Sequence, residues 1–128
     1  YISNRYSEHL ESTVNNLKKL GFPDAKKSNV LLRSDSRSKS ERRKSVSDKF
    51  EVIMLIGDNL ADFNDDFEEK LSEERTNYTD ESRNDFGTKL IVLPNPNYGD
   101  WESNGLFGGM NYNNLQKDSI RKAKIKSY

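Results

Sequence analysis

Leu10, Val14, Leu17 and Leu20 recur at spacings of four, three and three, which is one apolar stripe of an amphipathic helix. Ser7 is its expected N-cap. Glu8 and Glu11 fall at the positive end of the helix dipole, Lys18 and Lys19 at the negative end, and Gly21 followed by Pro23 stops it. Ahead of it, Tyr1-Ile2 reads as the end of a strand followed by a turn. Asn29 to Arg33 (NVLLR) predicts a short strand. Ser38 and Glu41 have the S-x-x-E spacing of a capping box, which places Lys39 at the first position of a second helix, with Val46 and Phe50 as its modest apolar side.

Val52 to Ile56 are apolar without alternation, as in a parallel strand covered on both faces. Leu60, Phe63, Phe67 and Leu71 return to helical spacing and predict a helix studded with acids. Arg75 to Gly87 is polar and reads as loop or short helix. The run TKLIVLPNP predicts another buried strand, ended by Pro94 and Pro96, which cannot continue a ladder. A Gly/Asn-rich loop follows with Tyr98, Trp101 and Phe107, then a weak basic helix from about Asn114 to Lys126. Strands alternating with helices predict an α/β fold, an open parallel sheet with flanking helices and right-handed crossovers. There is no internal repeat.

Composition adjusts this picture in three ways. The chain has 128 residues, enough for one small domain over 1–128 with a basic tail from about 114. Apolar residues are 32% and charged residues 33%, with a mean hydropathy of -1.00, so the core has to come from the few clustered apolar runs. Formal net charge is zero, which argues against global attraction to a nucleic acid polymer or an anionic membrane. Charge is nevertheless segregated: Arg33–Lys44 carries six basic and two acidic residues, Asp58–Asp85 eleven acidic and three basic. The absence of Cys excludes disulfides and thiolate metal sites. No apolar run has membrane-spanning length and no signal peptide opens the chain. The opening YISN, without Met, reads as the last residues of a strand, so the sequence is expected to be part of a longer chain.

Ligands of open parallel sheets bind outside the carboxyl ends of the strands. Ser3-Asn4-Arg5, Gly57-Asp58-Asn59 and Asn95-Pro96-Asn97-Tyr98 fall at such ends, and Lys39 begins a helix that can face the same side. A hydroxyl, an ammonium and one or two carboxylates converging there suit a phosphate with a Mg²⁺ ion. Each piece alone has a plainer account: a Ser-Asn-Arg helix entry, a Gly-Asp turn, a solvated lysine. Their order in the chain is what changes the balance.

In that order, YISNR, LLR…SKSERR, IMLIGDNLADF and KLIVLPNPNYGDWE resemble the second half of the class C (nonspecific) acid phosphatases. That family lies in the haloacid-dehalogenase-like superfamily and includes bacterial outer-membrane lipoprotein 5′-nucleotidases. The resemblance covers all but roughly the last fifteen residues. It implies a Rossmann-like haloacid-dehalogenase core. Ser3 corresponds to the hydroxyl that bonds the transferring phosphoryl group, and Asn4 lies beside it. Lys39 corresponds to the lysine that neutralises the phosphoryl group and the nucleophile. Asp58 corresponds to the acid that ligates Mg²⁺, and Asp62 to a second acid that orients the metal or Lys39. Tyr98 corresponds to an aromatic residue that stacks on the substrate; Trp101 is expected to pack the loop.

The reaction so implied is hydrolysis of phosphomonoesters, nucleoside 5′-monophosphates among them, through an aspartyl-phosphate. The attacking Asp and the Asp that serves as general acid belong to a D-x-D-x-T motif, which occurs nowhere in these 128 residues. The strand bearing it would lie mid-sheet, between those ending at Ser3 and Asp58. The segment alone is therefore expected to be inactive and not to fold stably as a monomer. A homodimer, a lipid anchor as the one membrane attachment, and a bacterial cell-envelope or secreted location are likewise implied by the resemblance alone. The alternative is a non-catalytic remnant or interaction module that keeps a phosphate-binding face. An RNA-binding domain, resting on Arg33–Lys44 alone, ranks third because that stretch has no interleaved aromatics. His9 on the first helix suits a solvated or capping role, and Asn77-Tyr78-Thr79 is a glycosylation sequon by pattern only.

Overall fold

The computed structural model describes residues 1–125, and the chain divides into two compact units, Tyr1–Val52 and Ile53–Tyr128. The first unit is a β-α-β arrangement. Strand β1 (Ile2–Tyr6) pairs in parallel with β2 (Leu31–Arg33), Ile2 opposite Leu31 and Ser3 opposite Leu32. Beyond Ser3 the register shifts before Tyr6 meets Arg33. The extended backbone thus continues to Tyr6, where the sequence suggested a turn after Ile2.

Helix α1 spans Leu10–Lys19 and buries Val14, with Leu10 and Leu17 half-covered. Ser7 is not its N-cap. A 3₁₀ turn, Ser7–His9, precedes the helix, His9 takes the cap position, and Ser12 Oγ donates to the His9 carbonyl. The carboxyl end follows the expectation and shows its mechanism. Gly21 adopts φ +77°, its N–H reaches Lys18 O and the Phe22 N–H reaches Leu17 O. This paired closure satisfies two orphan carbonyls and needs a left-handed residue, hence glycine. Leu20, at the C-cap, falls outside the buried stripe and is exposed. Val14, Ala25 and Val30 form this unit's buried apolar core.

Helix α2 (Ser40–Ser47) starts one residue later than the capping-box spacing suggests, with Lys39 as N-cap. The Lys39 carbonyl accepts from Arg43 N. Ser38 Oγ accepts from Ser40 N, so the Ser38 hydroxyl serves the helix start, two residues along the chain instead of three. Val46 is half-buried, while Phe50 is exposed.

The second unit carries β3 (Leu55–Gly57) paired in parallel with β4 (Leu90–Val92), in register Leu55–Leu90, Ile56–Ile91 and Gly57–Val92. Strand β3 is shorter than the apolar run, and it is not doubly covered: Ile53 is 79% exposed and Ile56 63%. A parallel strand is buried only when both edges find ladders and both faces find helices. Strand β3 has β4 on one edge and, among the described residues, no strand on the other. The described strands thus form two two-stranded parallel sheets, in keeping with the expected α/β class.

The acidic helix predicted over Leu60–Leu71 is also replaced. Two separate 3₁₀ turns, Leu60–Asp62 and Asp65–Phe67, stand there. Asn59 Oδ1 accepts from Ala61 N and Asn64 Oδ1 from Asp66 N. Each asparagine restarts the chain with its own local cap, which competes with a continuous helix. The turns keep the spacing that matters, because Phe63 and Phe67 are both buried. Their rings meet Phe86 and Tyr78 edge-on at 6.2 Å each. Helix α3 forms at Ser72–Glu81, beginning three residues before the Arg75–Gly87 stretch read as loop or short helix and ending within it. It has no apolar stripe to betray it; the residue it buries is Arg75. A six-residue π-helical segment, Trp101–Leu106, and helix α4 (Asn114–Lys124) complete the unit. Phe107 is buried between them, with the Arg121 guanidinium 5.5 Å from its ring centre.

Candidate active site

In the second unit the site grows from the end of β3. Gly57 closes the strand, and a Cβ there would lie 2.7 Å from both Cβ and Oδ2 of Asp62. Glycine thus lets the Asp62 carboxylate fold back beneath the strand end, where Oδ2 accepts the N–H groups of Asp58 and Asn59 at 3.2 Å each. These bonds fix the backbone that carries Asp58. Its side chain is steadied from the other strand: Asn95 Nδ2 donates to Asp58 Oδ2 at 2.9 Å. Two strand ends joined in the β3–β4 sheet therefore present one carboxylate at a defined place.

The loop after β4 is organised around Trp101. Its Nε1 donates to Asn95 O at 2.9 Å and is 3.2 Å from Tyr98 O. Trp101 thereby packs this loop, as expected, and leaves Tyr98 69% exposed. Gly99 sits at φ +150°, and a Cβ on it would run into Asn59 Nδ2. The close approach of this loop to the Asp58 loop depends on that glycine.

Arg75 ties the two loops together. It is 5% exposed, and it donates to Asp100 Oδ2 at 2.7 Å, to Asn59 Oδ1 at 3.2 Å and to the Phe67 carbonyl. Burial pulls its pKa below the ordinary arginine value, and the Asp100 charge opposes that shift. An Arg in this position keeps its planar fork spread over three acceptors. Asp58, Asn59, Arg75, Asn95 and Trp101, with apolar walls from Leu60, Val92, Pro94 and Pro96, line a cavity of about 380 Å³. Arg75 and Asn95 are lining residues to which sequence reasoning gave no role. The one available signal for Arg75 is its place among only three basic residues, Lys70, Arg75 and Arg83, inside a strongly acidic stretch, Asp58–Asp85.

The first unit holds the other candidates. Ser3 is half-buried on β1, its Oγ accepting from Arg5 N at 3.3 Å, and Asn4 follows on the same strand. Lys39 caps α2 and is half-buried. Arg42, in the first turn of α2, joins these places: Nη1 donates to Ser3 O and Nη2 to Asn4 Oδ1, both at 2.6 Å, and Nη2 also reaches Ser38 O at 2.8 Å. The structure thus brings Ser3 and Asn4 together with the loop before Lys39. In the second unit it brings Asp58 and Asp62 together, with Tyr98 on the loop that Trp101 pins.

The metal question turns on donor chemistry. Among the described residues no group of three or more His, Cys, Asp or Glu side chains could hold a cation. Asp58 offers one hard carboxylate beside the amide of Asn95, while Asp62 Oδ2 is committed to backbone N–H groups. Mg²⁺ is commonly held by one or two carboxylates with waters and a substrate phosphate. One such carboxylate fits a divalent cation only as a partial site, with Asp58 as the candidate ligand.

Residues 1–101 match the family described as HAD superfamily, subfamily IIIB (acid phosphatase). The chain is also similar to the class C acid phosphatase from Bacillus anthracis, with 37% identity and a TM-score of 0.91. A crystal structure of a class C acid phosphatase from Bacillus anthracis with tungstate bound is 38% identical, with a TM-score of 0.92. Each match takes in 100% of this chain and 54% of the other, so the chain spans about half the length of these relatives. A parallel α/β framework and the match over residues 1–101 define a haloacid-dehalogenase-type protein. The chain belongs to the acid phosphatase subfamily IIIB of that superfamily.

Proposed function

We propose that the chain is part of a Mg²⁺-dependent acid phosphatase that hydrolyses phosphomonoesters, nucleoside 5′-monophosphates among them, with phosphate-binding residues in its first unit and metal-binding residues in its second. The observation that carries the reading is the Asp58 carboxylate, held by Asn95 at a parallel strand end and backed by the Asp62–backbone bonds, in a chain of this family. Tungstate, the ligand in one relative's structure, is a tetrahedral oxyanion like phosphate, which supports an oxyanion site.

Each residue has a role within this reading. Ser3 and Asn4 donate to phosphoryl oxygens. Lys39 supplies a cation that offsets charge developing there. Asp58 presents its carboxylate to Mg²⁺, and Asp62 keeps the Asp58 loop in place. Mg²⁺, when bound, lowers the cost of concentrating negative charge around phosphorus. Tyr98, exposed on the loop after β4, stacks on an aromatic leaving group. Attack on phosphorus with formation of an aspartyl-phosphate, and protonation of the leaving alcohol, require two aspartates of a D-x-D-x-T motif. None of these 128 residues supplies them.

The segment alone is therefore inactive in this reading, and activity belongs to the natural protein in which a D-x-D-x-T strand accompanies it. The test is twofold. The 128-residue chain should show no Mg²⁺-dependent turnover of an aryl phosphate. In the natural protein, Asp58→Asn should lower kcat and raise the Mg²⁺ requirement; unchanged kinetics would remove Asp58 from the metal site. The rival reading is a non-catalytic phosphate-binding module. A natural protein that binds orthophosphate without turning over any phosphomonoester would establish that rival.

A further inference from the structure

We propose that Arg42 is the positioning residue of the oxyanion site, the group that sets Ser3 and Asn4 at a fixed offset from the Lys39 helix start; the inference rests on the phosphatase reading above. Its basis is the distribution of one guanidinium over two separate stretches of chain. Toward β1, Nη1 donates to the Ser3 carbonyl and Nη2 to Asn4 Oδ1, both at 2.6 Å. Toward the loop before α2, Nη2 donates to Ser38 O at 2.8 Å and reaches Arg37 O at 3.3 Å.

The chemistry of these acceptors is informative. The two groups on β1 and the two on the loop are neutral oxygens, three of them backbone carbonyls. The four bonds make a clamp on the chain. The planar fork is needed because the two stretches lie in different directions from one side chain, and a lysine has no such fork.

Local backbone bonding does not set this offset. After Ser3 the β1–β2 register shifts, so the ladder no longer dictates where Asn4 sits. The Arg37–Ser40 loop is shaped locally: Ser38 N donates to Ser36 Oγ at 3.1 Å and Ser40 N to Ser38 Oγ at 3.2 Å. These bonds set the turn's shape and leave its distance from β1 to longer-range contacts. Arg42 spans that gap from a place in the first turn of α2. Misplacing a binding group by about 1 Å can cost on the order of a hundredfold in rate, so a clamp here acts on binding and catalysis without touching substrate.

The experiment measures binding of sodium tungstate and of orthophosphate to the natural protein by titration calorimetry, beside the thermal midpoint of each variant. Ser3→Ala and Lys39→Ala test the underlying site; Arg42→Ala and Arg42→Lys test the clamp. Arg42→Ala should weaken oxyanion binding by about tenfold or more with little change in midpoint, and millimolar guanidinium ion should restore a large part of it. Arg42→Lys, which keeps charge without the fork, should behave like Arg42→Ala. Normal affinity in Arg42→Ala, or a loss in that folded variant which guanidinium leaves untouched, overturns the proposal. If Arg42→Ala does not fold, Arg42→Lys decides, and wild-type affinity there overturns it. Normal oxyanion affinity in both Ser3→Ala and Lys39→Ala removes the site itself, a different failure from loss of the clamp alone.

Discussion

Asn95 Nδ2 donates to Asp58 Oδ2 at 2.9 Å across 37 residues of sequence. The bond joins the loop after β4 to the loop after β3, and it aims an exposed carboxylate. Asn95→Ala removes the donor and leaves Asp58 chemically unchanged. Mg²⁺ affinity in the natural protein should fall by about tenfold or more, as when the outer partner of a metal ligand is lost. Trp101 fluorescence is a suitable readout, since its indole bonds the Asn95 carbonyl; a Mg²⁺ titration curve unchanged in Asn95→Ala would refute the coupling.

Arg75 and Asp100 form a pair in which the arginine side chain is 6% exposed and the aspartate 20%. Removing one partner of such a pair leaves a desolvated charge, at a cost of about 3–5 kcal/mol. Arg75→Ala should therefore lower unfolding free energy by about that amount in denaturant titration, and Asp100→Asn by less, because an amide oxygen still accepts. Equal, small effects from both would show the pair to be solvated in practice.

Two glycines separate strain from collision. Gly87 has φ +82°, and a Cβ added there would meet nothing within 4 Å. Gly87→Ala should thus cost about 1 kcal/mol from the left-handed backbone alone. Gly99 has φ +150° and Asn59 in the way. Gly99→Ala should cost about 1–3 kcal/mol and should also weaken Mg²⁺ binding, by pushing on the loop that carries Asp58. Comparing the two variants in the same unfolding assay checks both statements.

Lys27, by hydrogen bond first and charge second, holds the Glu11 carboxyl below its ordinary value of 4.5. The folded pKa is lower than the unfolded one. The stabilisation is thus complete above about pH 4.5 and is lost as pH falls through the lowered folded value. Glu11→Gln should lower the thermal midpoint slightly in the neutral range, the pair being solvent-exposed, and should converge with the wild type as pH falls below about 4.5, so that its acid limb is flatter. A wild-type acid limb in the variant would dismiss the effect.

Ile53 and Ile56 leave an apolar surface on and beside a strand that has β4 on one edge only among the described residues. Such an edge is a template for association between chains. The 128-residue chain alone should scatter light in a concentration-dependent way, and Ile56→Lys should suppress that scattering. Monodisperse behaviour of the unmutated chain would show that the edge is protected by other means.

The sequence by itself determined the elements whose signal is local. The Leu10–Leu17 stripe, the Gly21 stop and the prolines after β4 each act over a few residues, and each stands where expected. It also determined the family, because GDNLADF and LPNPNYGDWE are runs of residue types at set spacings. The tertiary structure decided what depends on distant partners. Helix α3 could be read only as loop or short helix because the side chain it buries is a charged Arg75 whose acceptors lie 8, 16 and 25 residues away. The Leu60–Leu71 periodicity suggested one helix, and two asparagine caps turned it into two short turns without moving the phenylalanines out of the core. The exposure along Val52–Ile56 likewise follows from a strand edge with no ladder beside it, which no property of the run itself reveals. Periodicity reports which residues are apolar; what covers them is set by the chain that comes to lie alongside.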